Sequence, residues 1–153
     1  MSSIYNPSTR INLNPPPVAS LYGTGTLGAL KIKDGLFVGD EFAAQDLEFV
    51  VANKANFIIN CAARQIPNHW EPIGVKYLNF FWSDADSQVL FEGRDDRVKQ
   101  LFQFIEQASQ RGESVLVHSV RGQNRCICVV AAYMMKKYSW SLDKTLELSL
   151  IHI

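Results

Sequence analysis

The chain has no excess of charge of either sign, because 15 Lys and Arg residues balance 15 Asp and Glu. Nothing in that balance favours nucleic acid or an anionic membrane surface, so neither is expected as a partner. No window approaches the roughly 18 uninterrupted apolar residues of a membrane span. The first residues also lack the basic-then-apolar layout of a secretory signal. Cysteine is scarce and odd in number, with only Cys61, Cys126 and Cys128. Without a framework spacing these point to a reducing compartment, so a cytoplasmic (or nuclear) location is expected. Cys126 and Cys128 stand two apart on an expected helix and point to different faces, against a metal pair or a disulfide. His69 and His152 have no metal-ligand spacing around them. No metal and no cofactor is expected.

What is present is ordinary for one globular domain: 153 residues, 47% hydrophobic and 20% charged. Residues 1–27 are rich in Ser, Asn, Pro, Thr and Gly, with Pro15-Pro16-Pro17 at their middle. That composition predicts a flexible N-terminal arm or an extended wrap over the domain. The globular pattern starts near Leu30. Leu36-Phe37-Val38 between turn residues reads as a strand. Asp40 then caps a helix over about Glu41 to Asn53, with Phe42, Leu47 and Val50 or Val51 facing inward. Phe57-Ile58-Ile59, Val75 to Phe81 and Val115-Leu116-Val117 read as further strands. Val98, Leu101, Phe102 and Ile105 are spaced for a helix ending at Gly112, and Ile127 through Lys137 for another. Arg94, Asp95, Asp96 and Arg97 read as a solvated helix start. Ser141 is placed to open a last helix. Strands alternating with helices predict an α/β layered domain.

The chemistry is concentrated in Val115-Leu116-Val117-His118-Ser119-Val120-Arg121-Gly122-Gln123-Asn124-Arg125, which runs directly into a helix. A buried strand ends in a polar loop containing Gly122, and a helix begins at or just after Arg125. That order aims several backbone N–H groups and the positive end of a helix dipole at one point. Arg125 adds a planar guanidinium able to hold two phosphate oxygens. Together they describe an oxyanion cradle. Taken on the loop alone, a strand–turn–helix junction with one surface arginine fits as well.

The segment resembles the phosphate loop of protein tyrosine and dual-specificity phosphatases, which carries His-Cys, five residues, then Arg at the same junction. His118, Gly122 and Arg125 match that pattern, and Ser119 stands at the cysteine position. Asp34-Gly35-Leu36-Phe37-Val38-Gly39 resembles the family's opening strand. Tyr77 to Asp84 resembles the segment leading to its general acid, with Asp86 close enough to compete for that role. Ala131-Ala132-Tyr133-Met134-Met135 and Trp140-Ser141-Leu142 resemble the helix behind the loop and the start of the next. The likeness covers about residues 30 to 148. It implies a central mixed, mostly parallel sheet of about five strands flanked by helices.

The resemblance also implies a nucleophile that this chain lacks. In the family a cysteine attacks phosphorus as a thiolate, and such an environment can lower a thiol pKa to roughly 3.5–7.5. The same loop cannot ionise a serine hydroxyl, and a serine nucleophile needs an adjacent base. His118 is the only neighbour, and the family uses that histidine to support the loop. Asn124 replaces the Ser or Thr whose hydroxyl helps the leaving sulfur. A trapping mutation would change only the cysteine, so the double departure favours a natural pseudophosphatase. Cys126, past Arg125 in the first helical turn, is expected to face the core, as is Cys61 at a strand end. The expected phosphate-binding set is Ser119, Val120, Arg121, Gly122, Gln123, Asn124 and Arg125, with Arg121 at the rim, His118 in support and Asp84 at the general-acid position. The expected ligand is a phosphorylated protein or peptide. Two rival readings are an active phosphatase whose cysteine has been replaced, and an interaction domain with a vestigial pocket.

The last residues read differently from the rest. Leu148 to Ile153 resembles the in-frame translation of a transposase adapter. The expectation is a domain over 28–148 that is incomplete at its C-terminal end, with 149–153 a non-native tail.

Overall fold

The computed structural model describes residues 29–81, 96–120, 125–141 and 143–144. Five strands form one sheet: β1 (Leu30–Lys33), β2 (Leu36–Gly39), β3 (Phe57–Asn60), β4 (Lys76–Asn79) and β5 (Val115–His118), in the order β1-β2-β5-β3-β4. β1 pairs antiparallel with β2, and every other pairing is parallel. The expected mixed, mostly parallel α/β sheet is therefore the one observed. β1 itself is visible in the sequence only as the start of the apolar pattern. A turn at Asp34-Gly35 joins it to β2, and Gly35 takes φ 82°, a conformation glycine adopts without steric cost.

The central strands are apolar on both sides because helices cover both faces. Leu36, Phe57, Ile58, Ile59, Val115, Leu116 and Val117 are all buried. Phe37 of β2 meets Phe49 edge-on at 5.2 Å, so α2 (Leu47–Ala52) lies against one face. Phe57 of β3 meets Phe104 at 5.1 Å, so α3 (Asp96–Gln110) lies against the other. α4 (Arg125–Tyr138) packs beside α3, with Phe102 and Tyr133 rings 5.5 Å apart. Each such side chain contributes roughly 1.5–3 kcal/mol by leaving water.

The structure corrects one helix. Glu41 to Asn53 is not a single helix but two, α1 (Glu41–Gln45) and α2, divided at Asp46. Asp40 caps the first by accepting from the N–H groups of Phe42 and Ala43 at 3.0 and 3.1 Å. Asp46 leaves helical geometry and caps the second by accepting from Phe49 N–H at 3.1 Å. The break resets the helical phase, so Ala43, Ala44, Phe49 and Val50 face inward. Phe42, Leu47 and Val51 remain 43%, 40% and 65% exposed, against the inward placement expected for Phe42 and Leu47. α3 follows its pattern, burying Leu101, Ile105 and Ala108, and Gly112 ends it at φ 68°. α4 begins at Arg125, two residues before its apolar run. Ser141 Oγ accepts from Lys144 N–H at 3.2 Å, the hydrogen bond of an N-cap.

Candidate phosphate-binding site

The C-terminal ends of the parallel strands form the edge at which His118, Ser119 and Arg125 lie. Gly39, His118, Asn60 and Asn79 occupy one row across β2, β5, β3 and β4. The chain leaving β5 is tied on both sides. Cys61 N–H donates to the His118 carbonyl at 2.9 Å, and Ser119 N–H donates to the Gly39 carbonyl at 3.2 Å. Asn60 makes its own turn rigid: Oδ1 accepts from Ala62 N–H at 2.9 Å, while Nδ2 donates to the Ile66 carbonyl at 2.8 Å and Asn68 Oδ1 at 3.0 Å.

Ser119 is almost fully buried, and its Oγ lies 3.5 Å from Cys126 Sγ. That contact brings the end of β5 to the first turn of α4, so Arg125 opens its helix beside the strand end. Arg125 is itself buried, unusual for a guanidinium. The N-terminus of α4, with its positive dipole end, thus lies at the same edge. Val120 is half-buried. Arg121, Gly122, Gln123 and Asn124 lie outside the described residues, as do Asp84, Asp86, Arg94, Asp95 and His152.

His118 occupies the same row as Asn60, on the strand face opposite Val117. Burial holds its imidazole down to about 4, with His69 adding to the effect, so the ring is neutral at neutral pH. Its Nδ1 is buried without a hydrogen-bond partner among the described residues, as is His69 Nε2. Burial also pushes the Cys126 thiol up to about 11 and the Cys61 thiol well above its ordinary value. Both thiols are buried and protonated, as expected for packing cysteines. Arg97 is exposed, with its guanidinium 5.8 Å over the Phe80 ring. The roles of Asn60, Gly39 and His69 were not evident from sequence. The one local signal was an asparagine closing the apolar run Phe57-Ile58-Ile59.

The sheet order and the strand–loop–helix junction at its edge define an α/β domain of the dual-specificity phosphatase type. Residues 36–149 match the model of the dual specificity phosphatase catalytic domain, and the chain belongs to that family. It is similar to mouse protein phosphatase Slingshot homolog 3, with 34% identity over 125 residues, covering 82% of this chain and 18% of the relative. It is also similar to dual specificity protein phosphatase 1B of Arabidopsis thaliana, with 28% identity over 142 residues, covering 86% of this chain and 81% of that one. Among solved structures it resembles a mouse dual specificity phosphatase complexed with zinc tungstate. The TM-score is 0.65 at 27% identity, covering 79% of this chain and 72% of the other. This chain therefore spans less than a fifth of the length of the Slingshot relatives. Among the described residues, no helix is long and apolar enough to cross a membrane.

Proposed function

We propose that this domain is a phosphate-reading pseudoenzyme that binds phosphorylated Ser, Thr or Tyr side chains of a protein partner without hydrolysing them. The observation that carries this reading is the setting of Ser119. The residue at the nucleophile position is buried, and its Oγ is within hydrogen-bond reach of Cys126 Sγ. His118 is buried at the end of β5, with its pKa lowered to about 4, which makes it a weak base for that hydroxyl. Cys126 offers no substitute, because a thiol held near 11 supplies no thiolate at neutral pH.

Binding needs none of that chemistry. The start of α4, the amides from Ser119 through Val120, Arg121, Gly122, Gln123 and Asn124, and the Arg125 fork suit a phosphate dianion. His118 supports the loop through its carbonyl, and Arg121 rims it. Asp84, at the general-acid position, has no phosphoenzyme step to serve. The tungstate carried by the mouse relative is a phosphate-like oxyanion and a convenient probe of the cradle. The same reading takes 28–148 as the domain, 1–27 as an arm, and the cytoplasm or nucleus as its setting.

Calorimetric titration with a phosphotyrosine peptide and its unphosphorylated twin tests the proposal. Binding is expected only for the phosphorylated form. Arg125→Lys keeps the charge, loses the bidentate fork and should weaken binding at least about tenfold. Equal binding of both peptides by folded protein contradicts a phosphate reader and moves attention to the outer surfaces.

A further inference from the structure

The strand end that carries Ser119 is held from two sides, and the two holds are built differently. On the β2 side a backbone rung suffices: Ser119 N–H donates to the Gly39 carbonyl at 3.2 Å. On the β3 side the rung runs from Cys61 N–H to the His118 carbonyl at 2.9 Å, and Cys61 already lies past the last residue of β3. A side chain sets the turn to which Cys61 belongs. Asn60, in register with His118 and fully buried, accepts from Ala62 N–H at 2.9 Å through Oδ1, which reverses the chain directly after β3. Its Nδ2 uses both hydrogens, one on the Ile66 carbonyl at 2.8 Å and one on Asn68 Oδ1 at 3.0 Å. The far end of the turn is thereby drawn back onto the strand. Ala63 N–H donates to the Phe80 carbonyl at 3.2 Å, tying the same turn to the chain leaving β4. The His118 imidazole adds no such hold through Nδ1, which is buried without a hydrogen-bond partner.

From this arrangement we infer that Asn60 is a positioning residue for the phosphate loop. It fixes Cys61 N–H against the His118 carbonyl, and so sets where β5 ends and the loop amides begin. What the loop binds is taken from the phosphate-reading proposal, whereas the placement of the strand end stands apart from it. An amide suits position 60 because the three contacts need one acceptor and two donors at full burial. An aspartate of the same shape keeps the acceptor but turns an oxygen toward the Ile66 carbonyl and Asn68 Oδ1. Oxyanion binding through backbone amides needs them placed within about 0.5 Å, so a loosened turn should show first as lost affinity.

Calorimetry with the tungstate ion, together with amide hydrogen exchange, tests this in the native chain, Asn60→Asp and Asn68→Ala. Asn68 is half-buried and its truncation removes one acceptor, which keeps the test open should Asn60→Asp fail to fold. Ile105→Val is the reference for a general loss of stability, since Ile105 is buried on α3 toward the opposite end of the sheet. Asn60→Asp should weaken tungstate about tenfold and Asn68→Ala about threefold, with Cys61 and Ser119 N–H exchanging faster in both. Ile105→Val should keep native tungstate affinity. Native exchange at Cys61 and Ser119 in Asn68→Ala and in any folded Asn60→Asp would overturn the inference, as would an equal loss of affinity in Ile105→Val. A native chain that binds no tungstate contradicts the phosphate reader, and exchange at the two amides then still decides the role of Asn60.

Discussion

The two ends of the sheet are built from the same strands and meet opposite ends of the neighbouring helices. At one end β5 finishes at His118, Ser119 follows it, α4 begins at Arg125, and the helix presents its positive dipole end. At the other end β5 starts at Val115, α3 has just finished, and the carboxylates of Asp34 and Glu113 are paired with Lys31 and Arg111. The alternation of strand and helix produces this polarity, because successive parallel strands place helix starts together and helix stops together. It teaches that anion chemistry in such a fold belongs at the strands' C-terminal edge. The ends also differ in burial. His118, Ser119, Asn60 and Arg125 are buried polar groups, whereas Lys33 and Asp34 keep solvent access.

Four perturbations break or sharpen that contrast, in descending size. Leu116 lies midway along β5 and is fully buried, so Leu116→Ala should cost about 2–5 kcal/mol by denaturant unfolding. Phosphopeptide binding should then fade as the folded fraction falls. Acid, by contrast, should strike one end first. An unfolded histidine takes up its proton near 6.5, whereas folded His118 does so only at about 4. Between those values the unfolded chain binds the extra proton. The contribution of the neutral ring is therefore complete above about pH 6.5 and is lost as pH falls toward 4, amounting to about 3 kcal/mol. Unfolding free energies measured across that window should slope upward with pH, and His118→Asn should flatten the slope.

Glu106 on α3 accepts from the Tyr133 hydroxyl at 2.6 Å and pairs with Lys137 at 2.9 Å. The Tyr133 hydrogen bond, then that from Lys137, holds its carboxyl below the ordinary range. That stability is present above the unfolded carboxyl value and is lost as pH falls through the folded one. The charged side chains of this seam are partly exposed, so Glu106→Gln should cost about 1 kcal/mol by thermal unfolding. Val51→Ala should be smallest, within about 0.5 kcal/mol, since the side chain projects from α2 into solvent. A large loss there would mean that α2 buries a face opposite to the one described.

Much of this architecture was legible in the residues. β2, β3 and β5 are short apolar runs between polar punctuation, and α3 keeps its spacing over Leu101, Ile105 and Ala108. The division at Asp46 was not legible, because an aspartate inside an apolar pattern reads equally as a surface helical residue. Only its backbone turn makes it a second cap. The junction from Val115 to Arg125 announced itself because strand, loop and helix are contiguous in the chain. Its supports did not, since Gly39 and Asn60 reach it only through strand pairing across long sequence distances. The contact between Ser119 and Cys126 was likewise hidden, because its meaning depends on which way two side chains turn.

The most direct test of the central claim is a single sample in which phosphotyrosine peptide is titrated into the native chain by calorimetry and then followed by phosphorus NMR. The account predicts phosphate-dependent binding with the phosphoester intact after prolonged incubation. Release of inorganic phosphate at a rate that scales with protein concentration would contradict it, and so would equal heats from the phosphorylated and unphosphorylated peptides.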